Sequence, residues 1–309
     1  MKRKVVALAG PTASGKTELS VKLAMRIGGE IISCDSMQCY EGFDIGTAKV
    51  TKEEMQNVPH YMIDEFSPQL NVNVALFASR ALTYQENIFQ NGNIPILTGG
   101  SGLYLDSLVY ESYDYGQGEM DERYRAELEA LAREKGNEAV YDLLERIDPA
   151  YAKITHPNNV KRVIRALEYY KTSGKRKSEV PQKKLREENT CYFALSMDRS
   201  RLYARIDARV DRMMELGLKQ EVQRLLDAGI SRGQNAMLGI GYKEMASALC
   251  GECSVNKAVE KIKQNSRNFA KRQMTWFRRN PGVLWINLDE YQDTEKILDF
   301  MEARINGAE

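Results

Sequence analysis

The sequence predicts an α/β protein: a P-loop-type parallel sheet flanked by helices, with an all-helical insertion domain. Three observations carry this. Short β-branched apolar runs alternate with helical periodicity over the first 110 residues, as in a parallel sheet with crossover helices. A Gly-rich turn joins the first such run to the first helical segment. From 113 to 190 the apolar runs give way to charged helical spacing, and strand character returns at 191. The expected organisation is a core of residues 1–112 and 191–309 around a helical insertion at 113–190.

Residues 4–9 form a buried strand bounded by Gly10 and Pro11, and 16–27 has helical spacing ended by Gly28 and Gly29. A second strand at 30–33 runs into Cys34 and Asp35. Residues 74–89 read as a helix broken at Asn91-Gly92, and 94–98 as a third strand. In the insertion, 113–118 is a Gly/Tyr-rich turn, and Asp121 caps a helix with Tyr124, Leu128 and Leu131 on its apolar face. A basic helix follows at 159–171, then a polar, Lys-rich loop at 172–190. Strand character resumes at 191–196, and Ser200 is placed to cap a long amphipathic helix. A second long helix spans 256–279, a last strand 283–287, and the acidic tail reads as a surface helix.

Composition narrows the function. A hydrophobic content of 43% excludes global disorder. No apolar run approaches the roughly 20 residues of a membrane span, and the run before Gly10 is too short for a signal peptide, so a cytoplasmic protein is expected. Five cysteines without framework spacing read as reduced thiols. Cys250 and Cys253 make a lone C-x-x-C, and with only His60 and His156 to complete it no zinc site is expected. The net charge of +1 hides segregation: 161–186 holds 10 bases against 2 acids, and 257–279 holds 8 against 1. Such stretches suit a local polyanion footprint, or solvated helix faces.

Gly10, Pro11, Thr12, Ala13, Ser14, Gly15, Lys16 and Thr17 fit G-x-x-x-x-G-K-[ST] between a strand and a helix, the context that motif requires. Glycines let successive N–H groups converge, the helix adds its positive end, Lys16 adds a charge, and the Thr17 hydroxyl can ligate Mg²⁺. The pattern points to pyrophosphate without specifying ATP. Asp35 follows the second strand on the same sheet edge. It can ligate Mg²⁺, directly or through water, serve as general base, or simply form an Asx turn.

Further segments carry a family resemblance. The run from Asp35 to Lys49 (DSMQCYEGFDIGTAK) resembles the second motif of tRNA dimethylallyltransferases, also called tRNA isopentenyltransferases. The P-loop matches the first motif, and VPHYMID at 58–64, GGSGLY at 99–104, RVIRALE at 162–168, GIGYKE at 239–244 and AKRQMTW at 270–276 follow in the family's order. The resemblance implies transfer of a dimethylallyl group from dimethylallyl diphosphate to N6 of adenosine 37, beside the anticodon. Lys16 would stabilise the leaving diphosphate with Mg²⁺ as cofactor, and Asp35 would take the N6 proton. Arg209 falls on the family's R-I-x-x-R stretch and would bind diphosphate, or lie on a solvated helix face. Ser101 stands where the family usually has Thr and keeps the hydroxyl for a catalytic or tRNA contact; Cys39, Glu41, Phe43 and Tyr61 also depart from the common residues.

The resemblance also implies the tRNA footprint. Lys161, Arg162, Val163, Ile164 and Arg165 fall on a tRNA-contacting stretch, as does Arg123. Gly239, Ile240, Gly241, Tyr242 and Lys243 would form a loop against the anticodon stem-loop. Asp35, Ser36, Met37 and Gln38 would line the pocket for the unstacked base, Gln38 offering donor and acceptor. Trp276 and Phe277 read as core. A monomer is sufficient. The alternatives are an adenylate isopentenyltransferase, which lacks such a basic insertion, and a P-loop small-molecule kinase, which leaves the insertion unexplained. A non-catalytic RNA-binding P-loop protein is disfavoured by the intact Lys16, Thr17 and Asp35.

Overall fold

Six parallel strands form one sheet among the described residues: β1 (Lys4–Ala9), β2 (Gly29–Ser33), β3 (His60–Tyr61), β4 (Ile94–Gly99), β5 (Asn189–Ser196) and β6 (Leu284–Asn287). The order across the sheet is β3-β2-β4-β1-β5-β6. The structure is a computed structural model that describes residues 3–111, 121–180, 184–187, 189–291 and 293–307. The chain divides into two compact units, Met1–Tyr110 with Leu185–Glu309, and Glu111–Lys184.

In the first unit, β1 is central because it is apolar on both faces: Val5 to Ala9 are all buried. Helix α1 (Lys16–Ile27) crosses one face and ends at Gly28 in a left-handed cap. Its Leu19 and Leu23 join Val6, Leu8, Ile31, Ile96, Phe193 and Ile286 in one cluster. The C-terminal helix, numbered last below, closes the same cluster with Ile297, Leu298, Met301 and Ile305, so the acidic tail is a surface helix with a buried inner face. A short α2 (Lys52–Met55) precedes β3; α3 (Val74–Gln90) and α4 (Gly102–Val109) flank β4. The two-residue β3 and the short α2 are too brief for any periodicity to announce them.

The helical unit contains α5 (Glu122–Lys135), α6 (Asn137–Ile147), α7 (Pro149–Ala152) and α8 (Val160–Ser173). Asp121 caps α5 through the Tyr124 N–H. Leu128, Val140, Leu144, Val163, Ile164 and Leu167 form its core, and Arg125 holds Glu168 through two hydrogen bonds of 2.7 and 2.8 Å. Of the polar segment 172–190, residues 177–179 form a 3-10 turn pinned by the Ser178 N–H donating to Asp148 at 2.8 Å. The turn expected at 113–118 and Pro181 lie outside the described residues. The return to the core comes before residue 191: Leu185 bridges Tyr110, and β5 opens at Asn189.

The remaining helices are α9 (Arg199–Glu215), α10 (Leu218–Asp227), α11 (Tyr242–Leu249), α12 (Val255–Phe277) and α13 (Thr294–Asn306). Asp198, not Ser200, caps α9: its Oδ1 accepts from the N–H groups of Ser200 and Arg201 at 2.8 and 3.1 Å. The carboxylate wins because it sits one residue before the helix, where a single oxygen reaches two free amides. Trp276 donates to Asp106 and Phe277 is buried, as expected of core residues.

Candidate active site

The carboxyl ends of β1, β4 and β2 carry the P-loop, Gly99-Gly100-Ser101 and Asp35 side by side. Strand β4 lies between the other two, so whatever ends it separates Asp35 from the loop. A side chain at Gly99 would put its Cβ 2.2 Å from the Cys34 carbonyl, and one at Gly100 would lie 2.1 Å from Gln273 Nε2. Glycine at both positions therefore lets Asp35 and the P-loop close over one cleft.

The loop itself is tight. Gly15 adopts φ +92°, open to glycine and strained for other residues, and leads directly into α1. Lys16 Nζ donates to the Pro11 carbonyl at 2.7 Å. Burial, and then the neighbouring Arg209 guanidinium, lower Lys16 to about 7, with Asp35 pulling the other way. Arg209 reaches the cleft from α9, its Nη2 donating to the Thr47 carbonyl at 2.8 Å. Burial lowers its pKa too, again opposed by Asp35. Two cations thus face one carboxylate. The buried Arg209 Nε and the Ser14 hydroxyl have no hydrogen-bond partner among the described residues. Unpaired buried donors and excess positive charge are what a polyphosphate would satisfy.

One sequence expectation needs correcting here. The Thr12 N–H is not free for phosphate: it donates to Gln273 Oε1 at 2.9 Å, while Gln273 Nε2 donates to the Gly100 carbonyl at 2.9 Å. Buried Gln273, on α12, ties the P-loop to the end of β4. Sequence reasoning missed this link; position 273 lies inside the AKRQMTW segment, but nothing local tells its side chain where to turn.

Asp35 forms the Asx turn and also faces the cleft. Its Oδ1 accepts from the N–H groups of Met37 and Gln38 at 2.9 and 3.4 Å, an Asx turn. It also lines the cleft with Lys16, Thr17 and Arg209, and its Oδ2 has no hydrogen bond among the described residues. Ser101 Oγ accepts from the Ser36 N–H at 3.2 Å and lies 3.4 Å from Ser36 Oγ, bracing this turn. Gln38 is less free than expected. Ser33 Oγ donates to its Oε1 at 3.0 Å, and its Nε2 points to the carbonyls of Thr47 and Ala48, each at 3.4 Å. Ala48, Val50, Ile63 and Phe269 add an apolar stretch to the cleft wall, with His60 beside them, while Ser20, Ser33 and Thr98 line it with hydroxyls. His60 Nδ1 lies 2.8 Å from the Val58 carbonyl and so carries the proton; burial lowers its pKa, leaving a neutral ring.

The expected 239–243 loop is only partly a loop. Tyr242 opens α11 and is fully buried, its hydroxyl donating to Glu221 at 2.7 Å and its ring 4.6 Å from that of Phe43. It has no surface to offer RNA. Gly239 packs on Met37, where an added Cβ would lie 2.8 Å from Met37 Cε, and Lys243 is exposed. Gly241 is buried and Ile240 half-buried. The departures at Phe43, Cys39 and Tyr61 are packing choices: Phe43 and Cys39 are fully buried, and Tyr61 donates to Glu30 at 2.6 Å, with burial and then Glu30 raising it to about 12.

In the helical unit, Lys161, Arg162 and Arg165 are exposed on α8, while Val163 and Ile164 are buried. Those two belong to the unit's core and cannot contact RNA through their side chains. Arg162 donates to the Tyr151 hydroxyl at 3.0 Å and stacks 5.1 Å from its ring centroid. Arg123 lies 3.4 Å from Glu127, an exposed pair worth only about 0.3–0.5 kcal/mol and readily exchanged for another anion.

The Lys16 shift gives a prediction that needs no second substrate. At pH 8 a lysine titrating near 7 is largely neutral, and a bound anion raises its pKa. Pyrophosphate binding should therefore take up a proton, and affinity should fall as pH rises through about 7. Calorimetry in buffers of different ionisation enthalpy measures that uptake. Lys16→Arg, which stays charged, should abolish the part due to this residue; equal uptake in both proteins would contradict the assignment.

Fold and cleft together define an α/β protein whose strand ends bring two basic side chains and a carboxylate to one cleft. The known proteins similar to it are specific. A family model described as IPP transferase matches residues 38–280. The chain is 47% identical over 298 residues to a tRNA dimethylallyltransferase of Acetivibrio thermocellus, covering 95% of each, and 45% identical to one of Bacillus cytotoxicus, covering 98% and 96%. Among solved structures it resembles the tRNA isopentenylpyrophosphate transferase of Bacillus halodurans, with TM-score 0.74, 43% identity and coverage of 99% and 98%. It also resembles a eukaryotic dimethylallyltransferase acting on tRNA, with TM-score 0.85, 26% identity, all of this chain and 81% of that one. The chain belongs to the IPP transferase family.

Proposed function

We propose that this enzyme, a prenyltransferase of that family, transfers a dimethylallyl group from dimethylallyl diphosphate to N6 of adenosine 37 in tRNA. The observation that carries the proposal is the placement of Asp35 opposite Lys16 and Arg209 in one cleft. N6 attacks the allylic carbon, the carbon–oxygen bond to diphosphate breaks, and the leaving oxygen keeps the electron pair. Lys16, Arg209 and the loop amides stabilise that developing charge. Asp35 Oδ2 accepts the N6 proton while Oδ1 stays in the turn. The apolar wall of Val50, Ile63 and Phe269 suits the five-carbon chain and excludes water.

Mg²⁺ fits this donor set. Thr17 is exposed at the cleft, its hydroxyl has no hydrogen bond among the described residues, and Asp35 would reach the ion through a bound water, which leaves Oδ2 free for the proton. A protein hydroxyl with diphosphate and several waters completing the shell suits Mg²⁺, which dehydrates reluctantly. When bound, the ion would neutralise charge on the diphosphate.

In the core unit the tRNA footprint takes the Asp35–Gln38 turn with Ile240 and Lys243; the helical unit, by itself, offers Arg123 and the exposed face of α8. We place the reaction in the cytoplasm, with tRNA as substrate and a single chain as the working unit. No helix among the described residues is long and apolar enough to cross a membrane. The test is transfer of labelled dimethylallyl from its diphosphate, with Mg²⁺, to unmodified tRNA, AMP or ATP in parallel. Label in tRNA alone supports the reading; label in AMP alone identifies a free-nucleotide prenyltransferase. Replacing Lys161, Arg162 and Arg165 together by Ala should weaken tRNA binding and flatten its log–log salt dependence by roughly two to three units. An unchanged slope would remove α8 from the footprint.

A further inference from the structure

We infer that Glu221, on α10 and outside the cleft, is a positioning residue that sets where Arg209 points. Glu221 is buried, 1% exposed, and no cation pairs with it among the described residues. Its carboxylate instead accepts from three consecutive backbone N–H groups: Asp44 at 3.2 Å, Ile45 at 2.8 and 3.1 Å, and Gly46 at 3.1 Å. The Tyr242 hydroxyl adds a fourth donor at 2.7 Å. A run of amides wrapped around an anion is a nest, here closed by a side chain rather than a ligand. Burying an unpaired carboxylate costs several kcal/mol unless such bonds replace its water, so the loop must conform to Glu221.

The residue that follows the nest is Thr47. Its carbonyl accepts from Arg209 Nη2 at 2.8 Å and from Gln38 Nε2 at 3.4 Å. The Thr47 hydroxyl donates back to the Phe43 carbonyl at 2.7 Å, and Lys49 pins the far side through the Tyr40 carbonyl and Asp44. Fixing amides 44–46 therefore fixes carbonyl 47, and that carbonyl orients the Arg209 guanidinium at the cleft, where its Nε has no hydrogen-bond partner among the described residues. Gly46 is part of the device: a Cβ there would sit 2.5 Å from the Tyr242 ring.

Glu221→Gln keeps the shape and turns half of the acceptor into a donor facing other donors. We expect a folded protein that binds inorganic pyrophosphate about tenfold more weakly, since misplacing a group by about 1 Å can cost up to 10²-fold. Resting on the dimethylallyl transfer proposed above, kcat should fall by more than KM for dimethylallyl diphosphate rises, the same split expected when Arg209 itself is altered. Glu221→Asp should restore part of the affinity. Val222→Ala, buried on the same helix and outside the nest, should lose stability while keeping wild-type affinity. Pyrophosphate affinity unchanged in Glu221→Gln, or lost equally in Val222→Ala, overturns the inference. If Glu221→Gln does not fold, Gly46→Ala is read in its place: the same weakening supports the inference and wild-type affinity overturns it. Because pyrophosphate binding needs no tRNA, a wild-type protein that binds pyrophosphate but transfers nothing refutes the proposed function and leaves this test intact.

Discussion

Replacing Asp35 by Asn lowers turnover by about 10²–10⁴-fold, the range of a lost general base, and leaves tRNA affinity within about threefold. Asn is the informative substitution. Asp35 Oδ1 organises the turn through the Met37 and Gln38 amides, and an Asn carbonyl can still accept both. What Asn cannot do is take a proton through the second oxygen. Asp35→Ala removes both roles and should add a loss of base positioning to the loss of catalysis. Single-turnover rates and equilibrium tRNA binding, measured on both variants, separate the two. If turnover and affinity fall together in Asp35→Asn, the carboxylate binds the adenine and another group takes the proton.

Arg209→Lys should cost about 10²–10³-fold in kcat with a smaller rise in KM for dimethylallyl diphosphate, although it keeps the charge. The guanidinium spends Nη2 on the Thr47 carbonyl and keeps its remaining N–H groups for the diphosphate. A lysine has one compact head group and cannot be anchored and reach at once. It would also place a second ammonium beside Lys16, which burial and Arg209 already hold near 7. Steady-state kinetics with dimethylallyl diphosphate as the varied substrate give the split. Near wild-type kcat in Arg209→Lys would mean that only net charge matters at this position.

How far the sequence could be read depended on the range of the interactions. Strand β1, the P-loop and α1 were legible because each is declared by its own consecutive residues. Asp35 could be placed on the sheet edge, but spacing alone could not reveal that Oδ1 closes an Asx turn while Oδ2 stays out of it. The outward face of α8 was legible as well. Val163, Ile164 and Leu167 sit at helical spacing opposite Lys161, Arg162 and Arg165, so the buried pair should have been separated from the basic ones. Glu221 carried a similar signal, three residues after Leu218 and four before Leu225 on the apolar face of α10.

Other features depend on partners far away along the chain. Tyr242 is buried because Phe43 and Gly46 meet it from the other end of the core, and two glycines before it disguise the start of α11. Gln273 reaches Thr12 and Gly100, more than 170 residues away. The cap of α9 was misread because Asp198 and Ser200 are both good capping residues, and only backbone geometry decides between them.

The central claim is that the phosphates stay in the P-loop while the prenyl chain moves to an RNA base. Nucleoside-resolved mass spectrometry of unmodified tRNA, incubated with the protein, Mg²⁺ and dimethylallyl diphosphate, tests it directly. The account predicts a single five-carbon addition on the adenosine beside the anticodon, with one diphosphate released for each base modified. Phosphate transferred to any acceptor, or tRNA recovered unchanged while diphosphate is released, would contradict it.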